Sequence, residues 1–382
     1  MSTPPHRTWA EISLGRIAAN YRALRAAVAP GCELAPVVKA DAYRHGAAAV
    51  SLRLQAEGAQ WFAVSNTEEG VSLRASGITA RILVMGDFLD YERADLVDAQ
   101  LTPVVHSPAR LSDLNSFAAA SGITIAYHLK IDTGMGRLGA RTGIGQLVQA
   151  VRDASHLRFE GLMTHFASAN DFTTSQTTDQ ILAFEAALHE FGHVGLAPAQ
   201  VHLSSSGPIA FQLRRAHGTL VRPGLALYGY VSPPCGPAPG VDVDVQPALT
   251  WKARVVEIKE IPKNGTVGYG AQWRAPRLTR MAVIAAGYAD GIPQQLSNRG
   301  HVIAAGKLVP MLGAVSMDLI TVDVTDAPQL QIGDAIILLG QDGAIKYDAQ
   351  DMAAEAGIIS YAVLCVLGNR VARVYEIGRA HV

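Results

Sequence analysis

The chain reads as an α/β protein, an N-terminal (β/α)8 TIM-like barrel followed by a mostly β C-terminal domain. Three features predict this. Up to about residue 230, brief apolar runs recur among helix-patterned segments and give eight strand candidates; such alternation signals parallel βαβ units, and eight of them close a barrel. Between Val231 and Pro247 the composition turns to Ser-Pro-Pro-Cys-Gly-Pro-Ala-Pro-Gly, which sustains neither helix nor central strand and reads as a linker. Beyond it the apolar residues alternate with period two, the mark of half-buried strands. A chain of 382 residues is also long enough for two cores.

Residues Arg7 to Ile12 form the first short strand. Ser13 can then cap a helix whose apolar positions Ile17, Tyr21, Leu24 and Val28 recur at helical spacing and which stops at Pro30 and Gly31. The barrel strands are expected at Val37-Val38, Trp61 to Val64, Ile82 to Met85, Leu101 to Val105, Tyr127 to Ile131, Phe159 to Phe166, Val201 to Leu203 and Leu220 to Tyr228. After the linker, strands are expected from Trp251 to Ile261, near Met281 to Ala286, His301 to Ala304, Ile320 to Val324 and Ala335 to Leu339. A helix from about Asp348 to Leu367 carries Tyr361 and precedes a last strand at Arg370 to Tyr375. The division is therefore 1–12, 13–235 and 236–382.

Composition narrows the function. A formal charge of −1 with no basic run argues against nucleic acid or an anionic membrane as the main partner and for a small molecule. Cys32, Cys235 and Cys365 lack metal-ligand spacing and read as reduced thiols of a cytosolic protein. No run fits a signal peptide, a bilayer span, a P-loop or a dinucleotide fingerprint, and no cluster has zinc spacing, so no metal is expected. The expected location is the cytoplasm.

The chemistry centres on Pro36-Val-Val-Lys-Ala-Asp-Ala-Tyr-Arg-His-Gly46. Lys39 follows a β-branched run where a buried strand opens onto a loop, and the C-terminal mouths of parallel strands are where such folds hold ligands. Taken alone, Lys39 reads first as a surface loop lysine. Other stretches add to it. In Lys130-Ile-Asp-Thr-Gly-Met-Gly-Arg-Leu-Gly139 the glycines allow close backbone approach or a plain turn, and Arg137 suits bidentate recognition of carboxylate or phosphate. His165 ends the sixth strand and is either a packed histidine or a catalyst. His202-Leu-Ser-Ser-Ser-Gly207 offers hydroxyls and free N–H groups to a phosphate, and Arg222-Pro-Gly224 lies at the eighth strand mouth. Past the linker, Thr266-Val-Gly-Tyr-Gly270 sets Tyr269 between glycines on a loop. A lysine at the first mouth, an anion site at the last two and arginines between them suit pyridoxal phosphate.

These residues carry a resemblance to the alanine racemase family from end to end. The matching blocks are Val38 to Tyr43, Lys130 to Gly139, Thr164 to Phe166, Val221 to Gly224 with Leu227 to Gly229, Val267 to Gly270, Gly287 to Gly291 and Ser316 to Asp318. The resemblance implies a fold-type III enzyme that binds pyridoxal 5'-phosphate in the barrel. Its N-terminal strand would pack with the C-terminal domain, and it would work as a homodimer whose active sites are completed by the other copy's second domain. It also implies D-alanine production, for peptidoglycan in the first instance. By position, Lys39 is similar to the Schiff-base lysine and one catalytic base, with Tyr269 of the other copy as the second. Tyr43, Ser206, Gly224 and Tyr361 match residues that hold the phosphate, and Arg222 matches the arginine facing the pyridine nitrogen. His165 matches the histidine linking Tyr269 to Arg222. Arg137 matches the arginine near the substrate carboxylate, Met317 one that offers its backbone to that carboxylate, and Lys130 a lysine often carried as a carbamate (N6-carboxylysine).

The chemistry supports these roles. Taking a proton from one face of a planar centre and returning one to the other needs an acid/base group on each side, and one amine and one phenol supply that. An arginine cannot accept the pyridine proton, and at contact distance and an effective dielectric of about 20 its repulsion of a protonated ring is roughly 5 kcal/mol. The chain departs from the family at Arg44, where glycine is usual, at Gln294 and Ala314, where arginines are common, and at Ser205, where asparagine is frequent. Gln294 and Ala314 leave a broader serine or lysine racemase as an alternative. A fold-type III decarboxylase acting on a basic or diamino acid is the runner-up class; those enzymes pair the ring nitrogen with a carboxylate and carry a cysteine-containing loop in the second domain, so Arg222 and the Tyr269 loop favour racemisation.

Overall fold

The structure, a computed structural model, describes residues 6–241 and 243–376. These divide into two compact units. One comprises Ile17–Ala42 and Ala47–Gln246; the other draws on the described residues of Met1–Arg16, Tyr43–Gly46 and Pro247–Val382. Strands are numbered here in chain order, and β1 (Thr8–Ser13) belongs to the second unit.

The first unit contains β2 (Glu33–Leu34), β3 (Trp61–Val64), β4 (Arg81–Val84), β5 (Thr102–Val105), β6 (Ile125–Lys130), β7 (Leu157–Met163), β8 (Gln200–His202) and β9 (Leu220–Val221). β3 to β8 pair in sequence order, all parallel, and β2 pairs parallel with β9. The ring closes through backbone bonds at both junctions. Val38 and Ala63 donate to Ala63 and Pro36 (both 2.9 Å), and Thr219 and Arg222 donate to Val201 (2.8 Å) and Ser204 (3.0 Å). Such closure leaves no edge strand open to pairing with another chain. The helices follow local rules. Ser107 caps Pro108–Ser121 by accepting from Arg110 N–H, Pro108 occupies the first turn, and Gly122 ends the helix in the left-handed region. Its Leu111, Leu114 and Ala118 are buried, at about 2 kcal/mol for each leucine removed from water.

Two expected strands shift. The first is placed by its ladder at Glu33–Leu34 rather than Val37-Val38, and Val37 makes an isolated bridge to Ala63. Pro36 has no N–H to donate, which interrupts regular pairing there. The eighth is two residues long instead of running to Tyr228. Pro223 again lacks a donor, and Leu225–Tyr228 coils into a 3-10 turn.

In the second unit β10 (Leu249–Ile261) is the central strand, with β11 (Thr266–Val267), β12 (Trp273–Arg274), β13 (Thr279–Ile284), β14 (His301–Ala304), β15 (Lys307–Pro310), β16 (Ile320–Asp323), β17 (Ala335–Asp342), β18 (Ile345–Tyr347) and β19 (Ala372–Glu376). The main sheet runs β15-β14-β17-β10-β1-β19, and β13 pairs both β10 and β16. Alternate residues of β10 are buried up to Val255, as the period-two pattern requires, and a register shift between Val255 and Glu257 frees its second half to pair with β13. The single helix expected from 348 to 367 is two, Ala349–Ala356 and Ser360–Cys365, because Gly357 takes the left-handed φ of 68° that ends the first. Among the described residues no helix is long and apolar enough to cross a membrane.

Candidate active site

Lys39 is half-buried at the start of an uncommon turn. Ala40, Asp41, Ala42, Tyr43 and Arg44 have φ of 53°, 54°, 54°, 52° and 64°, a left-handed helical turn built without glycine. L-residues pay roughly 1–2 kcal/mol each for that region, so the turn must be held from outside. Glu69 does part of this, its two oxygens accepting from the N–H groups of Ala40 and Ser65 (both 2.7 Å). Asp41 Oδ1 accepts from Ala47 N–H at 2.7 Å. Arg44 occupies a φ that glycine tolerates without cost.

Around the strand ends the barrel gathers cations. Lys130, the last residue of β6, is 5% exposed and has no side-chain hydrogen bond or ion pair among the described residues. Its amine is lowered to about 8, first by burial and then by Arg222, Arg137 and Lys39, against the opposing pull of Asp132. The Asp132 carboxylate is occupied, since it accepts from the N–H groups of Gly134 (3.0 Å), Met135 (2.8 Å) and Gly136 (3.0 Å) and pairs with Arg141 at 2.7 Å. The loop thereby presents Arg137, exposed and with no hydrogen bond or ion pair among the described residues.

Arg222 is 2% exposed and has no carboxylate partner among the described residues. Its guanidinium donates to Thr164 O (2.9 Å), Leu203 O (3.1 Å) and His202 Nδ1 (2.8 Å), and lies 3.5 Å from His165 Nδ1. Burial lowers it only to about 10, so it stays charged at neutral pH. His165 is pushed down to about 3, by burial first and then by Arg222, Lys130, Arg137 and Lys39, and is therefore neutral. Ser206 Oγ accepts from the N–H groups of Gly224 (3.0 Å) and Ala226 (3.1 Å). With both lone pairs taken, its hydroxyl hydrogen is the donor left for a ligand, whereas the Gly224 amide is committed to Ser206.

The second unit carries the remaining candidates. Tyr269 opens the turn Tyr269–Ala271 between Gly268 (φ 75°) and Gly270 (φ 70°), and is 77% exposed. Tyr43 is buried, its ring 6.0 Å from that of the part-exposed Tyr361. Met317 is exposed on a loop that accepts, through the carbonyls of Ser316 and Met317, from the N–H groups of Tyr288 and Ala289 (both 3.0 Å). Arg370 ties the same two loops, pairing with Asp290 (3.0 Å) and Asp318 (2.8 Å).

The barrel mouth thus brings together Lys39, Lys130, Arg137, His165, Ser206, Arg222 and Gly224. The second unit pairs Tyr43 with Tyr361 and displays Met317 and Tyr269 on exposed loops. Sequence reasoning passed over His128, and it valued the segment beginning at His202 for its hydroxyls and N–H groups and not for its imidazole. A signal for His128 was there, because it stands two residues before Lys130 on one strand and so shares its face.

An eight-stranded parallel barrel with a lysine and unpaired cations at its C-terminal mouth defines a barrel protein fitted to an anionic ligand. The sequence pattern described as "Alanine racemase, N-terminal domain" matches residues 12–233, and "Alanine racemase, C-terminal domain" matches 248–375. The chain is 36% identical over 375 residues to the alanine racemase of Halothermothrix orenii, covering 97% of each. It superposes on alanine racemase from D-cycloserine-producing Streptomyces lavendulae with a TM-score of 0.92, at 34% identity and 99% coverage of both chains. It superposes on that of Bartonella henselae, solved with covalently bound pyridoxal phosphate, with a TM-score of 0.86 at 28% identity, covering 97% of this chain and 100% of the other. This chain belongs to the alanine racemase family.

Proposed function

We propose that the protein interconverts L-alanine and D-alanine with pyridoxal 5'-phosphate, as a cytoplasmic homodimer that supplies D-alanine for peptidoglycan. The observation that carries this reading is Arg222, a buried, charged guanidinium with no carboxylate partner among the described residues, at a mouth that also holds Lys39. It distinguishes racemisation from decarboxylation by the related fold, where a carboxylate would face the ring nitrogen.

The residues fit the cofactor. Lys39 offers the amine for its aldehyde, the Ser206 hydroxyl with Tyr43, Tyr361 and the Gly224 segment would hold the phosphate, and Arg222 would face the ring nitrogen as a donor. When bound, the cofactor supplies an electron-withdrawing system conjugated to Cα of the amino acid. Lys39 handles the Cα proton on one face and Tyr269 of a second copy on the other. The exposure of Tyr269 on a glycine-flanked turn favours a role toward a second copy. Arg137 and the Met317 N–H bind the substrate carboxylate, and His165, neutral beside Arg222, links Tyr269 to it. Lys130, as its neutral amine, adds to carbon dioxide and releases one N–H proton to water, giving a carbamate that sets an anion among Arg137, Arg222 and Lys39.

Incubation of the loaded enzyme with L-alanine in deuterated water, with L-serine and L-lysine beside it, tests the reading. Loss of optical rotation from alanine with deuterium entering at Cα is expected. Release of carbon dioxide without D-product would sink it.

A further inference from the structure

Arg222 is held from below by a chain of side chains that the proposed mechanism does not use. Its Nη1 donates to His202 Nδ1 at 2.8 Å, and His202 Nε2 lies 2.8 Å from His128 Nδ1. His128 Nε2 in turn lies 3.5 Å from Glu160 Oε2. Both imidazoles are fully buried, and Glu160 is 6% exposed. Glu160 is itself gripped by Arg81 (Nη1 to Oε1 2.9 Å, with a second, shorter contact from Nη2 to Oε2) and by Arg158 (2.8 Å). The Arg81 guanidinium sits 4.0 Å above the Trp61 ring, which also packs on His128 with centroids 5.4 Å apart.

The direction of the chain follows from one fact of chemistry: a guanidinium only donates. His202 Nδ1 must therefore be the lone-pair nitrogen, which places the His202 proton on Nε2 and aims it at His128 Nδ1. That nitrogen is then an acceptor too, so the His128 proton sits on Nε2 and points at Glu160. His128 Nε2 makes no hydrogen bond of standard geometry among the described residues, and the carboxylate oxygen set beside it, at 3.5 Å, is Glu160 Oε2. Burial keeps both imidazoles neutral, lowering first His202 and likewise His128. Burial alone would push the Glu160 carboxyl up, but the His128 imidazole beside it and hydrogen bonds from Arg81 and Arg158 outweigh it and hold the group ionised. Room for the chain is built in, since a Cβ at Gly161 would come within 2.5 Å of the His128 ring.

We propose that Glu160 and His128 are positioning residues for Arg222: the carboxylate selects the Nε2–H tautomer of both histidines and so keeps the His202 lone pair on the arginine at the mouth. Without Glu160 the protons can shift to the Nδ1 positions, His202 then presents N–H to a group that cannot accept, and Arg222 keeps only its bonds to the Thr164 and Leu203 carbonyls. Its consequence for catalysis rests on the function proposed above; its structural content does not.

The test uses the full-length chain labelled with 15N-histidine, together with the loaded enzyme. In the unloaded protein His128 and His202 should each give a neutral Nε2–H pattern. Glu160→Leu should abolish that pattern, and Glu160→Gln, whose amide oxygen still accepts, should keep it. In the loaded enzyme Glu160→Leu should lower kcat about tenfold or more with KM within about twofold, as a small misplacement near the reacting atoms does, and Glu160→Gln should restore at least about half of the parental kcat. If Glu160→Leu fails to fold because Arg81 and Arg158 lose their partner, His128→Met leaves that ion cluster intact and should give the same kcat loss. An unchanged tautomer pattern and parental kcat in a folded Glu160→Leu or His128→Met protein would overturn the proposal. A parental protein that keeps the tautomers but does not racemise would instead overturn the proposed function.

Discussion

A buried lysine with no partner is costly, and at Lys130 the cost has a sign that can be measured. Its amine is at about 8 in the fold against 10.5 for an ordinary lysine, so between those values the unfolded chain binds more protons than the folded one. Stability should therefore rise with pH from 8 to 10.5; below 8 both states are protonated and the full penalty remains, at most roughly 3 kcal/mol. Lys130→Met should stabilise the unloaded protein by about 2 kcal/mol at pH 7 in carbon-dioxide-free buffer, and the gap should close by pH 10.5. Urea titrations at the two pH values measure it; an equal gap at both would show that packing and not charge is responsible. Bicarbonate at pH 7 to 8 should stabilise the parental protein and leave Lys130→Met unmoved, because carbamate formation discharges the cation.

At the scale of elements, the turn after β2 decides where the lysine points, and it is the part of the site that sequence patterns conveyed least. Five consecutive positive φ values over Ala-Asp-Ala-Tyr-Arg run against every local preference, and the cause lies in Glu69 and in the Asp41 bond to Ala47, neither of which neighbours Lys39 in a periodic way. Asp41→Ala should cost about 1–2 kcal/mol, from the lost cap of the helix Ala47–Ala56 and the poorer fit of alanine to this region, and should weaken cofactor binding in parallel. Asp41→Asn keeps the acceptor and should stay near parental; cofactor titration and thermal unfolding together check both, and a cofactor affinity unmoved by Asp41→Ala would contradict the link. Where local rules and the fold agree, the sequence was legible: Trp61 to Val64 and His301 to Ala304 lie where their apolar runs place them. The hairpin strand β15 went unseen because three of its four residues, Lys307, Leu308 and Pro310, are exposed and alternate with nothing. Of the site, Lys39, Arg137 and Arg222 stood out by their place at strand mouths, whereas the inward chain through His128 and Glu160 depends on pairing between strands far apart in sequence, which no single stretch records.

For the whole molecule, the chain separates the two proposed proton-handling groups between its units, Lys39 at the barrel mouth and Tyr269 on an exposed turn of the other. A phenol 77% exposed shares its hydroxyl with water, and the proposed second copy would cover it and exclude that water. Closed two-fold assemblies make this economical, since one interface completes two sites at once. The arrangement predicts complementation. Lys39→Ala and Tyr269→Ala proteins should each be nearly inactive. Unfolded together and refolded as an equal mixture, they should regain about a quarter of parental activity, because half of the dimers are mixed and each mixed dimer has one site with both groups intact. A site built from one copy would regain nothing, since every lysine-bearing barrel would then keep its own alanine at 269. Activity of the refolded mixture, measured against each variant refolded alone, separates the two, and its fall on dilution reports how strongly the copies hold together.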